Sequence, residues 1–147
     1  MAYLTICDRP IKKDKAAEIL WPDTTPERAR DNLYKVCRFL RDFQEKQVKI
    51  PLHIFREELF LDLSEIDCDI KEFERIFMFE TNPQQWERAI SLYVGPLLFE
   101  NYYEWTGEDE AFYDVHYCEL IQRLAEDCRS RGREDMAVLY EGKIKEF

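Results

Sequence analysis

Residues 25–45, TPERARDNLYKVCRFLRDFQE, carry the strongest pattern in the chain. Thr25 is a good N-cap, Pro26 suits the first position of a helix, and Glu27 suits its first turn. The apolar residues that follow recur at spacings of three and four, which is typical of a helix with one buried face. They are Ala29, Leu33, Val36, Cys37, Leu40 and Phe43. The pattern therefore predicts an amphipathic helix from Pro26 to about Glu45.

The flanking segments predict one helix before this one and a hairpin after it. Residues 11–21, IKKDKAAEILW, have the apolar spacing of a short helix, which Pro22 stops. Residues 48–63, VKIPLHIFREELFLDL, alternate roughly between apolar and polar side chains, as two short strands would. Arg56-Glu57-Glu58 is the expected turn between these strands. The expected order is helix, helix, hairpin.

Residues 69–147 predict a row of amphipathic helices joined by short loops. Capping signals place helix starts at Asp69, at Asn82, which precedes a proline, and at the acidic run that begins with Glu108. A final helix is expected over about 133–146. Short segments in this region echo tetratricopeptide units, although no strict period is found.

Charge is unevenly divided along the chain. The net charge is −10, but residues 1–61 hold 12 Lys and Arg against 10 Asp and Glu, whereas residues 62–147 hold 9 against 21. An acidic whole disfavours indiscriminate binding to nucleic acid, while a basic N-terminal third permits a focused contact with DNA. The asymmetry predicts two functional parts, with domains at 1–66 and 67–147.

Composition disfavours several classes of protein. Apolar residues make up 46% of the chain, enough to fill a core, yet no apolar run approaches the ~20 residues of a membrane span. The N-terminal sequence lacks the basic-then-apolar order of a signal peptide, and we expect no membrane partner. The five cysteines are widely spaced and include no C-x-x-C pair, which predicts reduced thiols in a cytoplasmic protein.

Neither catalysis nor metal binding is expected. The two histidines, His53 and His116, belong to no H-E-x-x-H motif or paired-cysteine ligand set. Glu108-Asp109-Glu110 mimics a pair of catalytic carboxylates, but an acidic first helical turn is the ordinary explanation. With four glycines in the chain, no phosphate-cradling loop is present. We therefore predict no catalytic residue, no metal site and no cofactor.

A cluster of aromatic residues in the second half of the chain has two interpretations. It is either core packing between helices, which is the commoner use of large aromatic side chains, or a ligand pocket or partner groove. The cluster consists of Phe99, Tyr102, Tyr103, Trp105, Phe112 and Tyr113.

Two blocks of sequence resemble those of a known family. Ile19-Leu20-Trp21-Pro22-Asp23, residues 26–33 and Arg38-Phe39-Leu40-Arg41 resemble the winged helix–turn–helix of SARP-type bacterial transcriptional activators, which many response regulators of two-component systems share. Leu92-Tyr93-x-Gly95-Pro96-Leu97-Leu98 and Tyr102-Tyr103-x-Trp105 resemble the bacterial transcriptional activator domain. The resemblance implies a mainly α fold, in which a partial winged helix–turn–helix with a β-hairpin wing precedes a tetratricopeptide-like helical bundle.

The resemblance also implies transcription regulation, by a DNA-binding activator and not by an enzyme. In the family the second helix of the motif enters the DNA major groove, and this helix maps here to residues 26–45. Lys and Arg side chains suit phosphates and guanine edges. The expected DNA-binding residues are Arg28, Tyr34, Lys35, Arg38 and Arg41, with Lys12, Lys13 and Lys49 as further backbone contacts. Residues 69–147 would contact RNA polymerase, another protein or a second copy in a homodimer.

The N-terminal part departs from the family pattern. Only Ala2–Cys7 precedes the second helix, whereas a family winged helix begins with a small sheet and a full first helix. The resemblance therefore implies a fragment of a longer parent, with a receiver domain as one option upstream. DNA contact is then expected above all of the intact parent.

Two alternatives stay open. The cationic face of residues 26–45 is otherwise an ordinary solvated helix face, on which Asp31 and Asp42 weaken the positive field. The chain is alternatively a protein–protein interaction or dimerisation module that does not itself bind DNA.

Overall fold

The computed structural model describes residues 1–46, 50–64, 66–98 and 103–146. The chain forms two units, Met1–Asp67 and Cys68–Phe147. The prediction of a mainly helical protein is confirmed, since the described residues form seven α-helices and a small three-stranded antiparallel sheet.

The first unit combines three helices with the sheet. In chain order its elements are α1 (Ala2–Cys7), β1 (Ile11–Lys12), α2 (Lys13–Leu20), α3 (Pro26–Lys46), β2 (Leu52–Ile54) and β3 (Glu58–Leu61). Its core is formed by the buried side of each element. It includes Ala16 and Ala17 from α2, Ala29 and Leu33 from α3, and Leu59 from β3. Because alanine side chains are short, α2 and α3 can approach closely along this contact.

Helix α3 begins as its sequence predicts. The Arg28 backbone N–H donates to Thr25 Oγ1 at 3.4 Å, and Pro26 is the first helical residue. One expectation about its apolar face is wrong: Val36 is 41% exposed. The buried residues Leu33 and Cys37 lie four positions apart and centre the buried stripe, so Val36 falls on the edge of that stripe.

The sheet contains the expected hairpin and one further strand. β3 lies in the middle, in the order β1-β3-β2, with Leu59 opposite both Ile11 and Ile54. The residues between the paired strands are Phe55, Arg56 and Glu57, so the turn begins one residue earlier than expected. The expectation that residues 11–21 are wholly helical is wrong, because Ile11–Lys12 pairs with β3. A two-residue strand is too short to show an alternating pattern.

The second unit is helical. Its α-helices are α4 (Asp69–Phe79), α5 (Pro83–Leu92), α6 (Gly107–Ser130) and α7 (Glu134–Gly142), with 3₁₀ turns at Glu104–Thr106 and Lys143–Glu146. The predicted Asn82 cap is present, since its Oδ1 accepts the Gln84 backbone N–H at 3.0 Å. Each helix packs against the next in sequence, and α6 supplies the longest run of buried residues. That run comprises Tyr113, Tyr117, Leu120, Ile121, Leu124, Ala125 and Cys128.

Three tyrosines tie the helices of the second unit together by hydrogen bonds to carboxylates. Tyr113 on α6 donates to Glu74 Oε1 on α4 at 2.6 Å, and Tyr140 on α7 donates to Glu87 Oε1 on α5 at 2.5 Å. Tyr93, which follows α5, donates to Asp114 on α6. The bond to Glu87, together with burial, raises the pKa of Tyr140 to about 12. Alternate helices are therefore connected as well as consecutive ones.

The core of α6 gives a direct stability prediction. Leu120 is 0% exposed, so Leu120→Ala removes buried apolar surface and leaves a cavity. We expect a loss of about 3 kcal/mol in the free energy of unfolding of the second unit, measured by urea denaturation. Leu139→Ala is the matched control, because Leu139 is 59% exposed and should change this free energy by less than about 0.5 kcal/mol. Equal losses in the two variants would contradict the described packing.

The Tyr140–Glu87 bond predicts a fall in stability in alkali. Above pH 10 the unfolded chain loses the Tyr140 proton, whereas the folded chain keeps it up to a pKa of about 12. The contribution of the Tyr140 hydroxyl to the free energy of unfolding is fully present below pH 10. It falls by about 1.4 kcal/mol per pH unit between these two pKa values. The free energy of unfolding, measured by urea denaturation across this pH range, should therefore decline less steeply in Tyr140→Phe than in the wild type. Tyr103→Phe, at an exposed position of the same unit, should decline as the wild type does.

Candidate nucleic-acid interface

The outer face of α3 presents basic side chains to solvent. Arg28, Lys35 and Arg38 are all exposed, on the side opposite Ala29, Leu33 and Cys37, which are buried. This division follows from helical geometry, because residues seven apart share a face and the core occupies only one side of the helix. The tertiary packing on α2 thus turns these three cations outward.

None of these three cations has an acidic partner in the described part of the chain. Arg28, Lys35 and Arg38 form no ion pair with any described residue, although Asp31 and Asp42 lie on the same helix face. An exposed, unpaired cation can exchange its water for a phosphate without first breaking a protein contact. The outer face of α3 is therefore available for an anionic partner.

Tyr34 and Arg41 lie on a different side of α3, beside the hairpin turn. Arg41 Nη2 donates to the backbone carbonyl of Ile54 at 3.4 Å. Together with Lys13 and Arg56 these residues line a groove of 380 Å³. The eight residues expected to bind DNA are therefore not on one surface: Arg28, Lys35 and Arg38 share the outer face, while Tyr34 and Arg41 line the groove.

Lys13 has a structural contact that its sequence position did not reveal. Its ammonium donates to the backbone carbonyls of Phe55 at 2.6 Å and Arg56 at 3.0 Å, within the hairpin turn. Its neighbour Lys12 is exposed in β1. Lys49 lies outside the described residues.

Arg30 is a basic residue of α3 whose charge is already matched. Its guanidinium donates two hydrogen bonds to the Asp14 carboxylate of α2, from Nε at 2.7 Å and from Nη2 at 3.2 Å. This paired geometry raises the pKa of the Arg30 guanidinium above its ordinary value. The pair joins α2 to α3 at the surface and leaves Arg30 less free than Lys35 for an outside anion.

Two residues of this region were missed by the sequence interpretation as functional candidates. Arg56 lies at the tip of the hairpin and its side chain is highly exposed. Its Nε lies 3.5 Å from Glu57 Oε1. A basic residue in a predicted turn was the available signal. Phe39 on α3 is 67% exposed, which the residue type alone does not suggest.

The aromatic cluster does not form one core in the structure. Tyr113 is buried and lines a pocket of 270 Å³ with Phe73, Tyr93 and Leu97. By contrast, Phe112 and Tyr103 are exposed, and Tyr103 stacks on Trp105 at 5.2 Å between ring centroids. Phe99 and Tyr102 lie outside the described residues. Core packing therefore explains Tyr113 but not Phe112, which points away from the buried side of α6.

The histidines have aromatic surroundings. The His53 ring stacks on Phe55 and Phe60, with centroid distances of 5.9 and 6.1 Å. His116 Nδ1 lies 2.7 Å from the Phe112 carbonyl oxygen. In the described ranges, His, Cys, Asp and Glu side chains form no group of three or more that could hold a metal ion.

Comparisons of this chain with protein-family models, with curated proteins and with solved structures found no match. The resemblance to transcriptional activators therefore rests on the motifs quoted above. Among the helices described, none has both the length and the apolar character needed to cross a membrane.

The contact between Lys13 and the hairpin predicts a local loss of protection. Lys13→Met keeps the aliphatic stem but removes the ammonium that holds the Phe55 and Arg56 carbonyls. We expect roughly tenfold faster hydrogen exchange at the Phe55 amide, since a hydrogen bond from a charged donor is worth about 1.5 kcal/mol or more. Lys12→Met removes the same charge from an exposed neighbour and should leave this rate unchanged. Equal exchange in both variants would mean that Lys13 does not order the turn.

Proposed function

We propose that this chain is a transcription regulator, or a piece of one, that binds DNA through the outer face of α3. The observation that carries the proposal is the exposed set of Arg28, Lys35 and Arg38, none of which forms an ion pair with the described residues. Ten residues of helix span about 15 Å, which suits a helix lying along the major groove. Arg and Lys would then contact phosphates and guanine edges.

The order of elements in the first unit supports this proposal. α2 and α3 are consecutive helices joined by a short turn, and the hairpin of β2 and β3 follows directly. In helix–turn–helix proteins the second helix of the pair is the one that enters the groove. The sheet order β1-β3-β2 places a short strand before α2 against the hairpin, and this pairing of the hairpin with the helical part of the unit supports its role as a wing.

The acidic residues of α3 are compatible with selective binding. Asp31 and Asp42 repel phosphates, which weakens contact with DNA of any sequence. A carboxylate accepts a hydrogen bond from the amino group of cytosine, so each can also favour particular base pairs. We therefore expect modest affinity for DNA of mixed sequence and a stronger preference for a specific site.

The second unit would supply protein contacts, with RNA polymerase or another copy as the partner. Its helices α4 to α7 pack in sequence, and the bonds from Tyr113 to Glu74 and from Tyr140 to Glu87 join alternate helices. Contacts of both kinds are expected of a tetratricopeptide-like bundle, in which stacked helix pairs expose an extended binding surface.

A second candidate function is a protein–protein interaction module that does not bind DNA. It is favoured by the apolar side chains exposed on α3, above all Phe39, which is 67% exposed, and Val36. Exposed aromatic residues are common anchors in protein interfaces.

DNA binding by the full chain tests the proposal. Titration of a 30-base-pair duplex, and of sites selected from a random pool, should show affinity that falls steeply with salt. Lys35→Ala should reduce the slope of log K against log salt by about one phosphate contact, and Arg38→Ala should weaken binding about tenfold. Arg9→Ala is the matched control, since Arg9 is an exposed cation of the same unit outside α3 and the hairpin.

The two candidate functions predict different results in this titration. An unchanged salt slope in Lys35→Ala, or equal losses in Arg9→Ala and Arg38→Ala, would contradict groove binding by α3. If neither the duplex nor any selected site binds at low salt, the chain is better explained as an interaction module.

A further inference from the structure

The outer face of α6 carries a solvent-facing stripe of side chains, here called the α6 stripe. Its members lie three or four positions apart, which aligns them along one side of the helix for five turns. Phe112 and Val115 in the stripe are 44% and 55% exposed, and the flanking acidic residues Glu108 and Glu126 are also exposed. The complete stripe is Glu108, Phe112, Val115, Glu119, Gln122 and Glu126. It combines two apolar side chains with three carboxylates.

The outer face of α3 carries a stripe with the same spacing and the opposite charge, here called the α3 stripe. It consists of Arg28, Asn32, Lys35, Phe39 and Asp42. Phe39 is its most exposed apolar side chain, and Lys35 is exposed without an ion-pair partner among the described residues.

The two stripes are complementary when the helices run in opposite directions. The steps from Arg28 to Lys35 and from Lys35 to Phe39 are seven and four residues, and the α6 stripe has the same steps read backward from Glu126. This register sets Arg28 opposite Glu126, Lys35 opposite Glu119, and Phe39 opposite Val115. It thus places two ion pairs and one apolar contact along three turns of helix.

The parallel register in which the two stripes align from their first residues is unfavourable. With Arg28 opposite Glu108, Lys35 would meet Val115 and Phe39 would meet Glu119, so a charge would be desolvated against an apolar side chain twice. The antiparallel register has one comparable mismatch, Asp42 opposite Phe112. The antiparallel register is therefore favoured over this parallel one.

We propose that the α6 stripe of one copy of this chain binds the α3 stripe of a second copy. This inference deepens the proposed function, because it assigns the protein contact of the second unit and uses the cations of α3 that would bind DNA. Because the two stripes differ, each contact of this kind is heterologous and joins the α3 stripe of one copy to the α6 stripe of another. Association and DNA binding would then compete for Arg28 and Lys35.

Glu119 faces one competitor within its own helix. Arg123 Nη2 lies 3.8 Å from Glu119 Oε2, and the two side chains are 40% and 45% exposed. An exposed pair of this kind is weak and is screened by salt, so Glu119 can exchange Arg123 for Lys35 at little cost. Because the contact rests on exposed charges and a few apolar groups, the association should be weak and sensitive to salt.

Sedimentation equilibrium of the full chain without DNA tests this interface. We expect the weight-average mass to rise with concentration above that of the monomer, and to fall toward that of the monomer in high salt. Lys35→Glu and Glu119→Lys each place like charges opposite one another and should each weaken association about tenfold. An equimolar mixture of the two variants restores opposite charges in both contacts, so it should associate within about twofold of the wild type.

Asp135→Lys is the control for charge alone, because Asp135 is an exposed acidic residue of α7 outside both stripes. It should associate as the wild type does. Circular dichroism of each variant checks that the helices are retained, which exposed positions should allow.

Each outcome decides the inference. A wild-type chain that stays monomeric at millimolar concentration overturns it, as does a mixture that associates no better than its two components. Restored association in the mixture supports contact between copies, since a contact within one chain would not be rescued by mixing. A chain that associates in this way yet binds no DNA keeps this inference and overturns the DNA-binding proposal, so the two failures are distinguishable.

Discussion

The packing of α2 against α3 is the contact on which the first unit depends. Ala16 and Ala17 on one helix and Ala29 on the other are buried, and their short side chains let the two helices approach closely. The Asp14–Arg30 pair holds the same two helices at the surface. Once this side of α3 is buried, the 3.6-residue repeat places Lys35 and Arg38 on the opposite side, where their charges stay hydrated. The candidate interface is a consequence of this packing.

The surface that results is suited to anions in general. Exposed cations on a helix attract phosphate and carboxylate alike, and the difference lies in the arrangement of the partner's charges. DNA offers a dense and regular array, whereas the α6 stripe offers three carboxylates around two apolar side chains. Phe39 favours the second partner, since an aromatic ring gains more from Val115 and Phe112 than from a phosphate backbone. Both roles for α3 draw on the same residues, which makes them mutually exclusive on one helix at one time.

Several elements were predictable because local chemistry decides them. Thr25 and Pro26 start α3, Asn82 starts α5, and alternating side chains produce the hairpin of β2 and β3. The strand at Ile11–Lys12 was missed because its only support is pairing with β3, which is distant in sequence. Val36 was wrongly predicted to be buried, because apolar residues three and four positions apart indicate a buried helix face but not where that face ends. The division of the expected DNA-binding residues between two surfaces, and the contact of Lys13 with the hairpin turn, depend on residues distant in sequence and were not predictable from spacing.

The mainly helical character, the positions of most helix starts, and the contrast between a basic first part and an acidic second part all follow from the order of the amino acids. These follow from capping groups, side-chain periodicity and composition, which act within a few residues of one another. Which cations stay unpaired is set by the folded chain, since it depends on where distant carboxylates and carbonyls lie. Arg30 is paired with Asp14, and the Lys13 ammonium donates to the carbonyls of the turn. Lys35 is exposed because the buried side of α3 is the opposite one.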